Sequence, residues 1–155
     1  MPRSWSLFIF SIGICLAAGV AGSLFTFQSI PTWYTGLEKP FFSPPNWVFA
    51  PVWTILYILM GISLYLVLSS KKKLKHEAVG VFMLQLGFNV FWSVLFFGMR
   101  NPTLALLDIL ALWMSIFVTI HLFGKISKLA SMILIPYILW VSFAFILNLV
   151  IVLLN

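Results

Sequence analysis

The sequence predicts an all-α integral membrane protein, a five-transmembrane-helix bundle with a partly helical loop that caps a pocket between the first two helices. Of its 155 residues, 63% are hydrophobic and 8% are charged, whereas soluble domains contain about 45–50% apolar and about 25% charged residues. Five stretches reach the roughly 20 apolar residues that a membrane-spanning helix needs. A chain this short could not bury so much apolar surface in water. A soluble enzyme, a disordered tail and a nucleic-acid-binding protein are therefore excluded.

The five spans form a single membrane domain over residues 1–155. They are predicted at residues 5–27, 47–68, 78–99, 103–123 and 131–154. The first span is too long and apolar for a cleaved signal peptide. Its small residues recur four apart, as in Ala18 with Gly22 and Gly19 with Ser23, a spacing that lets a second helix approach closely. We therefore expect a retained helix that packs tightly against a neighbour.

The segment between the first and second spans, residues 28–46, is predicted to be an ordered cap. It cannot form one regular helix, because it contains Pro31, Gly36, Pro40, Pro44 and Pro45. It also contains aromatic residues that a purely solvated linker would not need. These residues are Trp33, Tyr34, Phe41 and Phe42.

The positive charges predict the orientation in the membrane. With five spans, one side carries seven basic residues and the other carries only Lys39 and Arg100. The seven are Arg3, Lys71, Lys72, Lys73, Lys75, Lys125 and Lys128. The positive-inside rule then places the N-terminus in the cytoplasm of a cell with a bacterial-type inner membrane, and the cap and C-terminus outside. The alternative for the run at residues 71–75 is a patch that binds lipid phosphate.

Four of the spans place aromatic and hydrogen-bonding residues on one helical face. Each stripe by itself is consistent with hydrogen bonding and packing between helices. Four converging stripes instead predict a pocket for a flat, apolar, polycyclic guest. The stripes are Trp53, Tyr57, Met60 and Leu64; Gln85, Asn89, Trp92 and Phe96; Ala105, Asp108, Ser115 and Thr119; and Tyr137, Trp140, Ala144 and Asn148.

Acidic and metal-ligating residues are too few for conventional catalysis. The carboxylates are Glu38, Glu77 and Asp108, and no two of them are placed for acid–base chemistry. Asp108 lies inside a span, where a carboxylate costs about 2.5–3.5 kcal/mol on insertion scales, so it is interpreted as a buried supporting group. A single cysteine, Cys15, allows no intramolecular disulfide. No metal site and no required cofactor are predicted.

The order of several motifs resembles the translocator protein / tryptophan-rich sensory protein family, also called TspO/MBR or the peripheral-type benzodiazepine receptor family. The cap and second span contain Trp33-Tyr34-x-Gly36, Pro44-Pro45-x-Trp47 and Pro51-Val52-Trp53-x-x-Leu56-Tyr57. Further matches follow on the later spans, so that the resemblance covers nearly the whole chain. They are Gln85-Leu86-x-x-Asn89-x-x-Trp92, Phe96-Phe97-Gly98, Asp108, and Pro136-Tyr137-x-x-Trp140-x-x-x-Ala144.

The resemblance implies a homodimeric five-helix receptor that binds porphyrins, sterols and isoquinoline or benzodiazepine-type ligands. Carried over position by position, it implies a pocket formed by Trp53, Asn89, Trp92, Trp140 and Ala144. Tyr34 and Pro44 would close over the guest, and Tyr57 and Asp108 would line or support the cavity. Gly80 and Gly87 are small residues available to a helix interface.

One departure from the family pattern bears on the guest. Many animal members end in a cholesterol-recognition pattern with a tyrosine and a basic residue, and residues 147–155 contain neither. A bacterial type of member with a tetrapyrrole guest is therefore expected. His76 and His121 lie near the opposite end of the bundle from the cap, so an iron-free porphyrin such as protoporphyrin IX suits the residues better than ligated haem.

Three classes of function remain open at this point. The first is a porphyrin-binding receptor, with light- and oxygen-dependent porphyrin degradation in which Trp53 and Trp140 are the candidate catalytic residues. The second is a transporter of porphyrins or lipophilic molecules, although the sequence shows no internal repeat and few charges within the membrane. The third is a scaffold whose pocket regulates a membrane partner.

Overall fold

The computed structural model describes residues 4–155, all of whose regular structure is helical. Arg3, one of the seven basic residues used to predict the orientation, lies outside this described part. Five helical segments are long and apolar enough to cross a membrane. The predicted five-helix class is therefore confirmed.

The spans are formed by six helices, because the fifth span is divided in two. The helices are α1 (Trp5–Ser29), α2 (Asn46–Leu68), α3 (Lys75–Ser93), α4 (Pro102–Ile126), α5 (Lys128–Ile133) and α6 (Ile135–Leu154). Helix α3 continues into a π-helical turn at Val94–Gly98, and the cap contains a 3₁₀ turn at Tyr34–Gly36. The cap is thus partly helical, as predicted.

The helix ends follow local chemistry. The Ser4 side chain accepts a hydrogen bond from the Leu7 backbone N–H at 3.2 Å and caps α1. Asn101 caps α4 in the same way, accepting from Leu104 N–H at 3.0 Å, and Pro102 follows at a position where its missing N–H costs nothing. Arg100 adopts a positive φ of 53° in the tight connection before this cap.

The fifth span differs from the single helix predicted at residues 131–154. It begins earlier, at Lys128, and is interrupted at Leu134 before α6 begins. Pro136 explains the interruption, because its ring would clash with the carbonyl group four residues earlier in a continuous helix. Pro136 instead occupies the first turn of α6, where proline is well tolerated.

The bundle packs most closely where glycines meet larger side chains. A Cβ atom added at Gly61 would lie 2.5 Å from the Cα atom of Ile12, and one added at Gly19 would lie 2.6 Å from the Tyr57 ring. Helices α1 and α2 therefore approach closely, as the spacing of small residues predicts. In addition, α3 packs along α4 and α4 along α6, whereas α2 meets α6 at few points.

Candidate ligand-binding site

A cavity of about 340 Å³ lies inside the bundle beneath the cap. Helices α1, α2, α3, α4 and α6, the π-helical turn and the cap all contribute to its walls. Most of the lining is apolar, and the volume falls at the lower end of the about 300–1,000 Å³ that is usual for small-molecule sites. We call this cavity the bundle pocket.

Three indole rings line the bundle pocket from three different helices. Trp53 of α2 stacks on Tyr57 with ring centroids 5.7 Å apart, and Trp92 of α3 stacks on Phe96 at 5.0 Å. Trp140 of α6 meets Phe49 edge-on at 6.2 Å. The pocket is therefore surrounded by aromatic surfaces, which suit a flat polycyclic guest.

A chain of buried hydrogen bonds borders the pocket and joins α2, α3 and α6. The Tyr57 hydroxyl donates to the Asn89 side-chain oxygen, and the Asn89 amide donates to the Tyr137 hydroxyl at 3.0 Å. Tyr137 in turn donates to Gln85 Oε1 at 2.7 Å. The amide and phenol groups of this chain satisfy one another, so they fix the pocket wall at a depth where water is unavailable.

Asn148 holds a second part of the wall. Its side-chain oxygen accepts a hydrogen bond from Trp92 Nε1 at 3.1 Å, and its amide donates to the Pro102 carbonyl at 2.8 Å. The side chain therefore ties α6 to α3 and to the start of α4. Asn148 also lines the pocket, but its hydrogen bonds are those expected of a group that joins helices.

Two buried hydrogen-bond donors of the lining residues have no partner among residues 4–155. They are the Tyr34 hydroxyl and the Trp140 indole N–H, and both atoms are buried. Burial raises the pKa of Tyr34 above its ordinary value of 10.0 and outweighs the nearby Ser43 side chain, which lowers it without forming a hydrogen bond of good geometry. This phenol therefore keeps its proton at neutral pH and stays a donor. Unsatisfied buried donors cost about 1–3 kcal/mol each, a cost that a guest with acceptor atoms would remove.

The π-helical turn places two phenylalanine side chains in the pocket wall. Phe96 and Phe97 lie within this turn and line the cavity. The Ser29 hydroxyl donates to the Phe97 carbonyl at 2.8 Å, which joins the end of α1 to the turn. Gly98 is the last residue of the turn and lies next to Phe25. A Cβ atom added at Gly98 would lie 2.9 Å from the Phe25 ring.

The bundle pocket opens sideways along α1 and α2. Several of its lining residues on these helices are exposed on the outer surface of the bundle, including Val20, Phe27, Ala50 and Thr54. The side chains of Val20 and Phe27 are 62% and 83% exposed. A guest larger than the enclosed volume could therefore extend between the halves of α1 and α2 that lie next to the cap.

The cap is held by one side chain from the end of α6 and by one from within the cap itself. Asn155 forms two hydrogen bonds with the Glu38 backbone, accepting from its N–H at 3.0 Å and donating to its carbonyl at 2.9 Å. The Lys39 ammonium group donates to the Tyr34 carbonyl at 2.7 Å and lies 4.7 Å from the centre of the Tyr34 ring. These contacts hold Tyr34 over the pocket.

The structure brings most of the predicted site residues together. Seven of them line the bundle pocket, namely Tyr34, Trp53, Tyr57, Asn89, Trp92, Trp140 and Ala144. Pro44 lies in the cap outside the lining. Asp108 lies in α4 next to the lining residue Ile109, and it is only 7% exposed. Its Oδ2 atom has no hydrogen-bond partner in the described part of the chain, so the expected supporting hydrogen bond is not seen there.

Five aromatic lining residues were not among the predicted site residues, although Phe96 belongs to one of the four stripes. They are Phe27, Phe49, Phe96, Phe97 and Phe143. Phe49 lies four residues before Trp53, and Phe143 lies three residues after Trp140. Extending the two stripes by one helical turn would have found both. Phe97 could not be found in this way, because the π-helical turn changes the spacing at the end of α3.

Comparison with known proteins assigns the chain to a family. The model of the TspO/MBR family matches residues 11–154. The chain belongs to the TspO/MBR family. Its five apolar helices and this membership make it a multi-pass membrane protein of a family whose members include proteins named tryptophan-rich sensory protein and translocator protein.

Relatives from three groups of organisms match nearly the full length. The chain is 50% identical to the tryptophan-rich protein TspO of Archaeoglobus fulgidus over 145 residues, which is 94% of each protein. It is 35% identical to protein CrtK of Rhodobacter capsulatus, covering 94% of this chain and 90% of the relative. It is 36% identical to the human translocator protein, and the match covers 89% of this chain and 85% of the relative. The resemblance in the sequence motifs is thereby confirmed.

Proposed function

We propose that this TspO/MBR protein is a membrane receptor that binds an iron-free porphyrin, such as protoporphyrin IX, in the bundle pocket. The observation that carries the proposal is the set of three indoles, Trp53, Trp92 and Trp140, around one apolar cavity. A porphyrin offers two faces for stacking on these rings. Isoquinoline and benzodiazepine-type ligands are also largely aromatic and apolar, and they would bind in the same pocket.

The free donors support a guest with acidic groups. The Tyr34 hydroxyl and the Trp140 indole N–H lack partners, and the carboxylates of a porphyrin would accept hydrogen bonds from them. The described lining contains no histidine, cysteine or methionine, the side chains that usually ligate haem iron. The residue inventory therefore favours the metal-free ring over iron-ligated haem.

A titration with protoporphyrin IX in detergent micelles tests this proposal. Ala144→Phe places a ring in the pocket wall, whereas Gly13→Phe adds the same ring at a position with no atom within 4 Å of an added Cβ. We expect the first change to weaken porphyrin binding at least tenfold, about 1.4 kcal/mol, and the second to leave it unchanged. Equal affinities for both variants and the parent protein would place the porphyrin outside the pocket.

We further propose that the bound porphyrin is degraded when it is illuminated in the presence of oxygen. An excited porphyrin passes energy to oxygen, and the oxidisable rings of Trp53 and Trp140 would direct the reaction that follows. Trp53→Phe and Trp140→Phe each keep a ring for stacking, so we expect both to keep porphyrin binding, more weakly in Trp140→Phe because its N–H donor is lost. Both are expected to lose the light-dependent change in porphyrin absorbance. Degradation at the parent rate in both variants would exclude this role for the indoles.

A transporter is the second candidate function, because the bundle pocket opens sideways along α1 and α2. Net movement of porphyrin into sealed vesicles, abolished by Ala144→Phe, would support transport over binding alone. A ligand-regulated scaffold would instead release a stoichiometric partner from the purified complex when porphyrin is added.

The protein is further proposed to act as a homodimer in the cell (inner) membrane. Gly80 and Gly87 of α3 have nothing from this chain within 4 Å of an added Cβ atom, so this face is open to a second copy. Cross-linking of the reconstituted protein through Gly87→Cys would capture such a dimer, and its absence would contradict a dimer through this face.

A further inference from the structure

A second cavity, of about 430 Å³, lies on the outer surface of the bundle between α2 and α6. Residues 52–59 of α2 form one wall and residues 136–143 of α6 form the other. The cavity is shallow and open, since Ile55 and Leu139 are 58% and 63% exposed. We call it the α2–α6 groove.

The groove lies at the depth of the hydrocarbon core. Helix α2 extends from Asn46 to Leu68, so its midpoint is Tyr57, inside the stretch that forms the groove. Each wall extends over eight residues of its helix, and the seven steps between the first and the last cover about 10 Å at the rise of 1.5 Å per residue. The groove is therefore elongated along the helices that cross the membrane.

The chemistry of the walls is almost purely hydrocarbon. Aliphatic side chains such as Ile55, Leu59 and Leu139 line the groove together with the rings of Trp140 and Phe143 of α6. No charged residue is part of this lining. At this depth the bilayer offers only acyl chains, since headgroups and water are excluded. A flexible acyl chain matches both the elongated shape and the apolar lining of the groove.

Trp140 and Phe143 separate the groove from the bundle pocket, because both residues line both cavities. Their ring centroids are 5.4 Å apart. The Trp140 N–H has no hydrogen-bond partner among residues 4–155, and α2 meets α6 at few points. Packing therefore holds this aromatic partition, in which the Phe143 ring also meets Phe42 of the cap at 6.3 Å.

We propose that an acyl chain of a bilayer phospholipid binds in the α2–α6 groove and packs against the lipid-facing side of Trp140 and Phe143. The acyl chain would contact the side of Trp140 and Phe143 that faces the lipid, while residues of the bundle pocket contact the other side. This site does not depend on the porphyrin proposal, because it is occupied whether or not the bundle pocket holds a guest.

Photo-cross-linking in vesicles tests the site without any porphyrin. The probe is phosphatidylcholine with a diazirine midway along one acyl chain, and adducts are mapped by mass spectrometry of peptides. The internal comparison is the exposed face of α4 around Leu107, Leu110 and Met114, which is also apolar and lies near the middle of its helix. We expect several-fold more adducts on residues 52–59 and 136–143 than on this face. Equal labelling of the two surfaces would mean ordinary surrounding lipid and would overturn the proposal.

A variant that fills the groove provides the second arm. Leu139→Trp places a bulky ring in the groove, and Leu107→Trp makes the same change at a similarly exposed site on α4. Leu139→Trp should lower the groove adducts several-fold and Leu107→Trp should not. Since both side chains face lipid, we expect both variants to fold. Undiminished groove adducts in Leu139→Trp would contradict a seated acyl chain.

Discussion

At the scale of single residues, the best-defined feature is the chain of hydrogen bonds from Tyr57 through Asn89 and Tyr137 to Gln85. Tyr137 is the central member, because it both accepts and donates, and it is 1% exposed. Tyr137→Phe would leave the Asn89 amide and the Gln85 oxygen without that partner. Each such loss costs about 1–3 kcal/mol.

We expect Tyr137→Phe to destabilise the protein by about 2 kcal/mol or more, measured as unfolding in mixed detergent micelles. Tyr65→Phe is the matched control, since the Tyr65 hydroxyl forms no hydrogen bond in the described part of the chain and its ring packs edge-on against Phe8. The control should change stability little. Equal effects of the two substitutions would show that the hydrogen-bond chain does not stabilise the bundle.

Glycines on α1 offer a second test at the residue scale. Gly19→Ala adds a methyl group 2.6 Å from the buried Tyr57 ring, whereas Gly13→Ala meets nothing within 4 Å. Both changes raise helix propensity by about 1 kcal/mol, but only the first forces packing apart, at a cost of about 1–3 kcal/mol. Thermal unfolding should therefore show Gly19→Ala less stable than Gly13→Ala. The reverse order would contradict the close contact of α1 and α2.

At the scale of elements, the cap depends on its connection to the end of α6. The Glu38 backbone N–H donates to the Asn155 side chain. Asn155→Ala should therefore speed hydrogen exchange at the Glu38 amide and the release of bound porphyrin, with no large change in overall stability. Leu153→Ala, at an exposed position on the same last turn, is the control. Unchanged exchange at Glu38 would mean that this contact does not hold the cap.

Some elements could be predicted from the sequence and others could not. Hydropathy located the five spans, and the spacing of Trp53, Asn89, Trp92 and Trp140 placed them on converging faces, because both patterns are local. The π-helical turn at Val94–Gly98 has no such signature, since it depends on contacts such as that of Ser29 with the Phe97 carbonyl.

The interruption at Leu134 and the missing hydrogen-bond partner of Asp108 Oδ2 within the described chain also could not be predicted from local sequence patterns. Pro136 is compatible either with a kink or with a new helix start, and only packing of α5 against α2 and α4 decides between them. The helical spacing placed Asp108 on the buried face of α4. It could not show that Oδ2 lacks a partner, because that depends on side chains of other helices.

At the scale of the whole molecule, the charge distribution predicts that the cap faces outward. Phe41→Cys, at a fully exposed cap position, should react with a membrane-impermeant maleimide in intact cells. Lys73→Cys in the connection between α2 and α3 should react only after the cells are opened. The parent protein is the control, because its single cysteine, Cys15, is buried. Labelling of Lys73→Cys alone in intact cells would reverse the orientation.

The proposed function depends on a porphyrin that lies among the indoles of the bundle pocket. The protein is illuminated in air with protoporphyrin IX, and oxidised tryptophans are mapped by mass spectrometry. Trp53, Trp92 and Trp140 line the pocket, whereas Trp5 and Trp47 lie on the outside, 68% and 75% exposed. We predict that the three pocket indoles are oxidised first. Earlier or equal oxidation of Trp5 and Trp47 would show that the porphyrin lies in the surrounding lipid or detergent and would contradict the account.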